Sequence, residues 1–80
     1  MNVTTSPKVS PVTVDARGRA CPVPVLMLAK ALRTHDEVLL LADDPAARGD
    51  VLALCESAGH EVVELKAAGR VLEAHVRKAR

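Results

Sequence analysis

Glu37-Val38-Leu39-Leu40-Leu41-Ala42 carries a continuous apolar run of strand length, and Asp43-Asp44-Pro45 follows it directly. A run that is continuous rather than alternating predicts a strand buried on both faces, or one lying centrally in a sheet. The residues after it predict a helix. Asp44 suits the cap and Pro45 the first helical position, and both carboxylates suit a helix N-terminus. Val51, Leu54, Cys55 and Ala58 then recur at helical spacing, with Gly49-Asp50 as an interruption or second cap and Gly59 as the stop.

Beyond Gly59, His60 to Lys66 and Val71 to Lys78 read as strands. Ala67-Ala68-Gly69-Arg70 between them supplies the turn of an antiparallel hairpin. Before Glu37, a helix is expected from Pro22. Proline costs nothing in a first helical turn, and Val25, Leu28, Ala29 and Leu32 form one apolar face. Leu26 and Met27 widen that face, either as extra core or as an exposed docking patch. Pro11 to Asp15 is a short strand, and Arg17-Gly18-Arg19-Ala20-Cys21 is a loop. The order is β-α-β-α-β-β. It predicts an α/β (α+β) two-layer sandwich, with two helices on one face of a four-stranded mixed sheet. Residues 1–9 read as a flexible arm and residues 10–80 as one domain.

Composition narrows the function. The chain has 80 residues, of which 49% are hydrophobic and 26% charged, so it is expected to be a small globular domain. No run of about 18 apolar residues is present, so no membrane-spanning helix is expected. A formal charge of +1 argues against direct nucleic-acid binding, and so does the absence of Phe, Tyr and Trp, which stack on bases. Two cysteines are too few for a disulfide-stapled secreted domain, and Met1 to Ser10 lacks the apolar stretch of a signal peptide. Free thiols in the cytoplasm are the expectation. His35, His60 and His75 are isolated, so no metal site is expected. The glycines are scattered and form no phosphate loop, so no cofactor is expected.

Cys21 is the candidate for chemistry. It stands where a loop meets a helix N-terminus, whose partial positive charge and free N–H groups stabilise an anion. Such a thiolate has a lowered pKa. Arg17 and Arg19 add positive charge nearby, the N–H groups of Val23 and Val25 are candidate donors to the sulfur, and Pro22 and Pro24 stiffen the stem. Gly18 lets the loop turn tightly. The plainer alternative is a small buried cysteine beside a cap. Cys55, on the apolar face of the second helix, reads as core; a resolving partner for Cys21 is the sharper alternative. Asp43-Asp44 reads as a cap rather than an acid/base pair. No C-x-x-C is present, which argues against a thiol-disulfide oxidoreductase.

The residues from Asp15 to Pro24 spell D-x-R-G-x-x-C-P-x-P. The pattern resembles the signature of the TusA (SirA-like) family of small sulfur-carrier proteins. The resemblance extends through the apolar strand, Ala42-Asp43-Asp44-Pro45-Ala46, the cysteine of the second helix and the closing hairpin. It covers about Val12 to Lys78 and leaves the N-terminal arm unexplained. It implies the β-α-β-α-β-β sandwich and a persulfide carried on Cys21, with Asp15, Arg17, Gly18, Arg19, Pro22 and Pro24 as its support. It further implies a cysteine desulfurase or a rhodanese as sulfur donor and a second protein as acceptor. The sulfur would go to the wobble uridine of tRNA, to sulfur oxidation, or to molybdenum-cofactor or selenium metabolism. With no aromatic residue here, tRNA would be handled by a downstream enzyme. The chain is expected to be monomeric when free, and Arg17, Arg19 and Lys8 suit an acidic groove on a partner. A regulatory interaction module with a redox-sensitive Cys21 is the alternative of a different class.

Overall fold

The computed structural model describes residues 11–78; the expected N-terminal arm and Lys8 lie outside them. Six elements follow in the expected order. They are β1 (Val12–Asp15), α1 (Val23–Ala31), β2 (Glu37–Ala42), α2 (Ala47–Ala58), β3 (Glu61–Ala68) and β4 (Val71–Arg77). The sheet order is β1-β2-β4-β3, with β1 parallel to β2 and the other pairs antiparallel. The two helices cover one face of this mixed sheet, as the sequence predicted.

The apolar run is a central strand, paired on both edges, but it is not buried on both faces. Val38, Leu40 and Ala42 are fully buried, whereas Glu37, Leu39 and Leu41 on the alternate face are only half-buried. With both helices on one side, a two-layer fold leaves the other face of the sheet uncovered. In cross-strand rows, Val12, Val38, Val76 and Val62 lie side by side, and Val14, Leu40, Ala74 and Leu65 form the next row. Leu28 and Leu32 of α1 and Val51 and Cys55 of α2 close over these rows. No aromatic side chain is available, so the core is small aliphatic residues packed closely.

Val62 and Leu65 both reach the core although they are three positions apart, which strict alternation forbids. The ladder shifts register between Val62 and Glu64 to allow it. The extra residue of this bulge resets the face of everything after it. The hairpin is also tighter than expected. Ala67 and Ala68 pair with Leu72 and Val71 within the ladder, so only Gly69 and Arg70 turn the chain. Gly69 supplies the positive φ (64°) that this turn requires.

Both helices begin later than the sequence suggests. Pro22 is the residue before α1 rather than its first, with φ −102° and ψ 19°, and Pro24 sits in the first turn, buried. Pro45 lies in a turn ahead of α2, where the Asp44 carboxylate accepts from the Ala46 N–H (3.1 Å) and the Asp44 carbonyl from the Ala47 N–H (2.9 Å). Asp44 therefore shapes the turn rather than capping the helix. Gly49 and Asp50 are helical and interrupt nothing. Gly59 ends α2 in the left-handed region, φ 78°, as expected.

Candidate functional site

The site is the loop from Asp15 to Pro24, and its geometry follows from how each end is fixed. At the start, the buried Ala16 donates its N–H to Leu41 O at 2.7 Å, extending the β1–β2 pairing past the strand. Asp15 then folds its carboxylate over the loop. Oδ1 accepts from the backbone N–H of Arg17 (3.1 Å) and from Nε of Arg17 (2.9 Å), and Oδ2 accepts from Nη2 (2.8 Å). The paired guanidinium holds the Asp15 carboxyl down at about 2. Gly18 adopts φ 82° and donates its N–H to Asp43 Oδ1 at 2.9 Å. The Arg19 N–H closes a turn on Ala16 O at 3.2 Å. At the far end, Val23 donates to Ala20 O (2.9 Å), Leu26 to Pro22 O (3.1 Å), and Pro24 is driven into the core.

Between these anchors Cys21 is exposed, followed by a cis bond to Pro22. The sulfur is thus presented on a corner whose two flanks are fixed. Val23 (36% exposed) and Leu26 (59% exposed) stand in the first turn of α1 beside it, and Met27 turns inward against the core. Leu26 is therefore surface, and Met27 is extra core. An apolar groove lined by Val12, Val14, Met27, Lys30, Ala31, Thr34 and His35 contains no residue of this loop.

The electrostatics depart from the expectation. Among the described residues, Cys21 Sγ receives no bond from the N–H of Val23 or Val25; the Val23 N–H is already engaged by Ala20 O. The thiol instead donates to Asp50 Oδ2 at 2.9 Å. That bond, with some desolvation and the charges of Asp50 and Asp44, pushes the Cys21 pKa up rather than down. Arg17 does not offset it, because its guanidinium is spent on Asp15. The Arg19 side chain is exposed and, among the described residues, has no ion-pair partner.

Sequence reasoning missed Asp50. It was legible only as an acidic residue near a helix start, and nothing in its spacing ties it to a cysteine on another element. The first turns of α1 and α2 have to meet in space before the pair exists. Of the supporting residues, Asp15, Arg17 and Gly18 are brought together as a braced loop and Pro22 and Pro24 form the stem; among the described residues the hydrogen bond at the sulfur goes to Asp50 and not to any of these. Cys55 is 3% exposed in the core, where burial pushes its thiol pKa up. Asp43 and Asp44 bond to backbone N–H groups rather than to each other. His75 pairs with Glu37 at 2.8 Å, and no cluster among the described residues could hold a metal ion.

Comparison with known proteins bears on the family and the fold. The family model described as sulfurtransferase TusA matches residues 12–78. The crystal structure of a SirA-like protein from Desulfitobacterium hafniense superposes with a TM-score of 0.73 at 27% sequence identity, covering 86% of this chain and 99% of that one. No helix among the described residues is long and apolar enough to cross a membrane. The family match spans both the braced cysteine loop and the whole sandwich beneath it, and the chain belongs to the TusA family of sulfurtransferases, small proteins that act as sulfur carriers in relays between donor and acceptor proteins.

Proposed function

We propose that Cys21 is the carrier atom, accepting a sulfane sulfur as a persulfide and handing it to an acceptor protein. The observation that carries this reading is the exposed Cys21 thiol on a corner braced by Asp15, Gly18 and Pro24. A carrier needs a sulfur that protrudes and stays aimed, and it needs no substrate pocket. Loading is thiol exchange. The Cys21 thiolate attacks the terminal sulfur of a donor persulfide, the new S–S bond forms, and the donor's S–S bond breaks to release its cysteine thiolate. Off-loading repeats the step with the acceptor thiolate as nucleophile.

A cysteine desulfurase or a rhodanese is the proposed donor. The proposed relay ends in 2-thiolation of tRNA, with RNA contacted by a later enzyme because this chain has no aromatic stacking platform. Sulfur oxidation and molybdenum-cofactor synthesis would use the same carrier chemistry. We place the protein in the cytoplasm as a free monomer.

The test is intact mass after incubation with a cysteine desulfurase and cysteine, or with thiosulfate and a rhodanese. One added sulfur on the wild type and on Cys55→Ser, and none on Cys21→Ser, is the expected result. Loading of Cys21→Ser overturns the assignment. For the tRNA branch, 2-thiouridine should disappear from cells lacking the protein and return with the wild type but not with Cys21→Ser.

A further inference from the structure

The geometry points to Asp50 as the residue that keeps Cys21 a hydrogen-bonded thiol at rest and fixes where its sulfur aims. This rests on the reading of Cys21 as the carrier and adds a restraint to that site. The carboxylate comes from the first turn of α2 and meets the sulfur across the helix pair, with Oδ2 2.9 Å from Sγ. A carboxylate accepts only, so the thiol must hold its proton to make this bond. Losing the proton would set a thiolate against a carboxylate at hydrogen-bond distance, and like charges that close disfavour ionisation.

The groups facing Cys21 strengthen the restraint. From the α2 side come Asp50 and, more weakly, Asp44. Asp43 is engaged by the Gly18 N–H. From the cysteine's own loop, Arg17 is paired with Asp15 and Arg19 projects to the surface. The α1 N-terminus contributes its partial positive charge, but the Val23 N–H is satisfied by Ala20 O. An anion-favouring corner is thereby converted into a thiol-favouring one.

The consequence is a carrier with low reactivity when alone. The thiolate is the nucleophile, so a protonated Cys21 reacts slowly with adventitious oxidants and electrophiles. Breaking the Asp50 bond, as a cation placed against that carboxylate would do, lifts the restraint.

The experiment is the pH dependence of iodoacetamide alkylation at Cys21, followed by mass spectrometry on the full chain, for wild type, Asp50→Asn and Asp44→Asn. Circular dichroism confirms that each variant is folded. Asp50→Asn should move the midpoint to lower pH. Its alkylation at neutral pH should rise by roughly tenfold for each unit of that shift. Asp44→Asn, which removes charge but no bond to sulfur, should shift it less. An unchanged midpoint in Asp50→Asn, or equal shifts in the two variants, overturns the inference. If Asp50→Asn does not fold, the Cys21 Cβ chemical shift titrated in wild type decides. A midpoint above that of a free cysteine supports the restraint, and one at or below it overturns it. Alkylation needs no sulfur donor, so this test stands even if Cys21 fails to load sulfur, which would defeat only the carrier reading.

Discussion

The Gly18 N–H donates to Asp43 Oδ1 at 2.9 Å, tying the cysteine loop to the turn that leads into α2. The two residues are remote in sequence, and the bond forms only because β1 and β2 are parallel neighbours whose C-terminal ends lie together. Asp43→Ala should cost about 0.5–1.5 kcal/mol, read by urea unfolding, and should speed hydrogen exchange at the Gly18 amide. Gly18→Ala meets open space within 4 Å of the added carbon, so its cost is conformational alone: about 1 kcal/mol for holding φ 82°. An unfolding midpoint unchanged in Asp43→Ala would show that the tie contributes nothing.

Asp15 and Arg17 predict an acid-sensitive contribution to stability. The folded Asp15 pKa of about 2 lies below the unfolded carboxylate value near 3.9. Its stabilisation is therefore fully present above about pH 4 and is lost as the pH falls toward 2. Asp15→Asn should unfold at lower urea than wild type at pH 7, and the gap should narrow across that window. The pair is solvent-exposed, so added salt should also narrow it. A gap independent of pH would show that the effect does not come from the ionised Asp15 carboxylate.

Arg17 and Arg19 should separate in sulfur loading. Arg17 is committed to Asp15, whereas Arg19 is exposed with no ion-pair partner among the described residues. Arg19→Ala should slow loading at low ionic strength, and the deficit should fade above about 0.15 M salt as screening removes the steering. Arg17→Ala should act instead by loosening the loop, with a loss that salt does not abolish. Identical salt profiles for the two variants would remove the distinction.

Leu40 and Leu39, adjacent in one strand, should differ sharply. Leu40 is fully buried in the core on the helix-covered face, and Leu39 faces the uncovered side of the sheet. Leu40→Ala should cost about 2–5 kcal/mol through lost burial and a residual cavity. Leu39→Ala should cost a fraction of that, because the site can fill with water. Comparable losses on thermal unfolding would mean that the open face is covered in solution.

Element order, sheet class and the position of Cys21 were legible in the sequence because each is a local property. Helical spacing in Val51, Leu54 and Cys55, the stop at Gly59 and the central apolar strand each depend on residues a few positions apart. The register shift at Val63 was not legible, because it is fixed by which residues of β3 must meet Val76 and Ala74 on a strand that has not yet paired. The helix starts were misplaced by a residue or two, since proline fits a turn as well as a first helical position. The direction of the Cys21 pKa shift is opposite to the one its sequence neighbours imply. The helix N-terminus and the arginines upstream are close in sequence, whereas Asp50 is on another element. Coulomb interactions follow distance in space, and hydrogen bonds require contact. So the sequence alone singled out Cys21 as the candidate and set the scaffold that carries it, and only the packing of α1 against α2 decided which charge stands beside its sulfur.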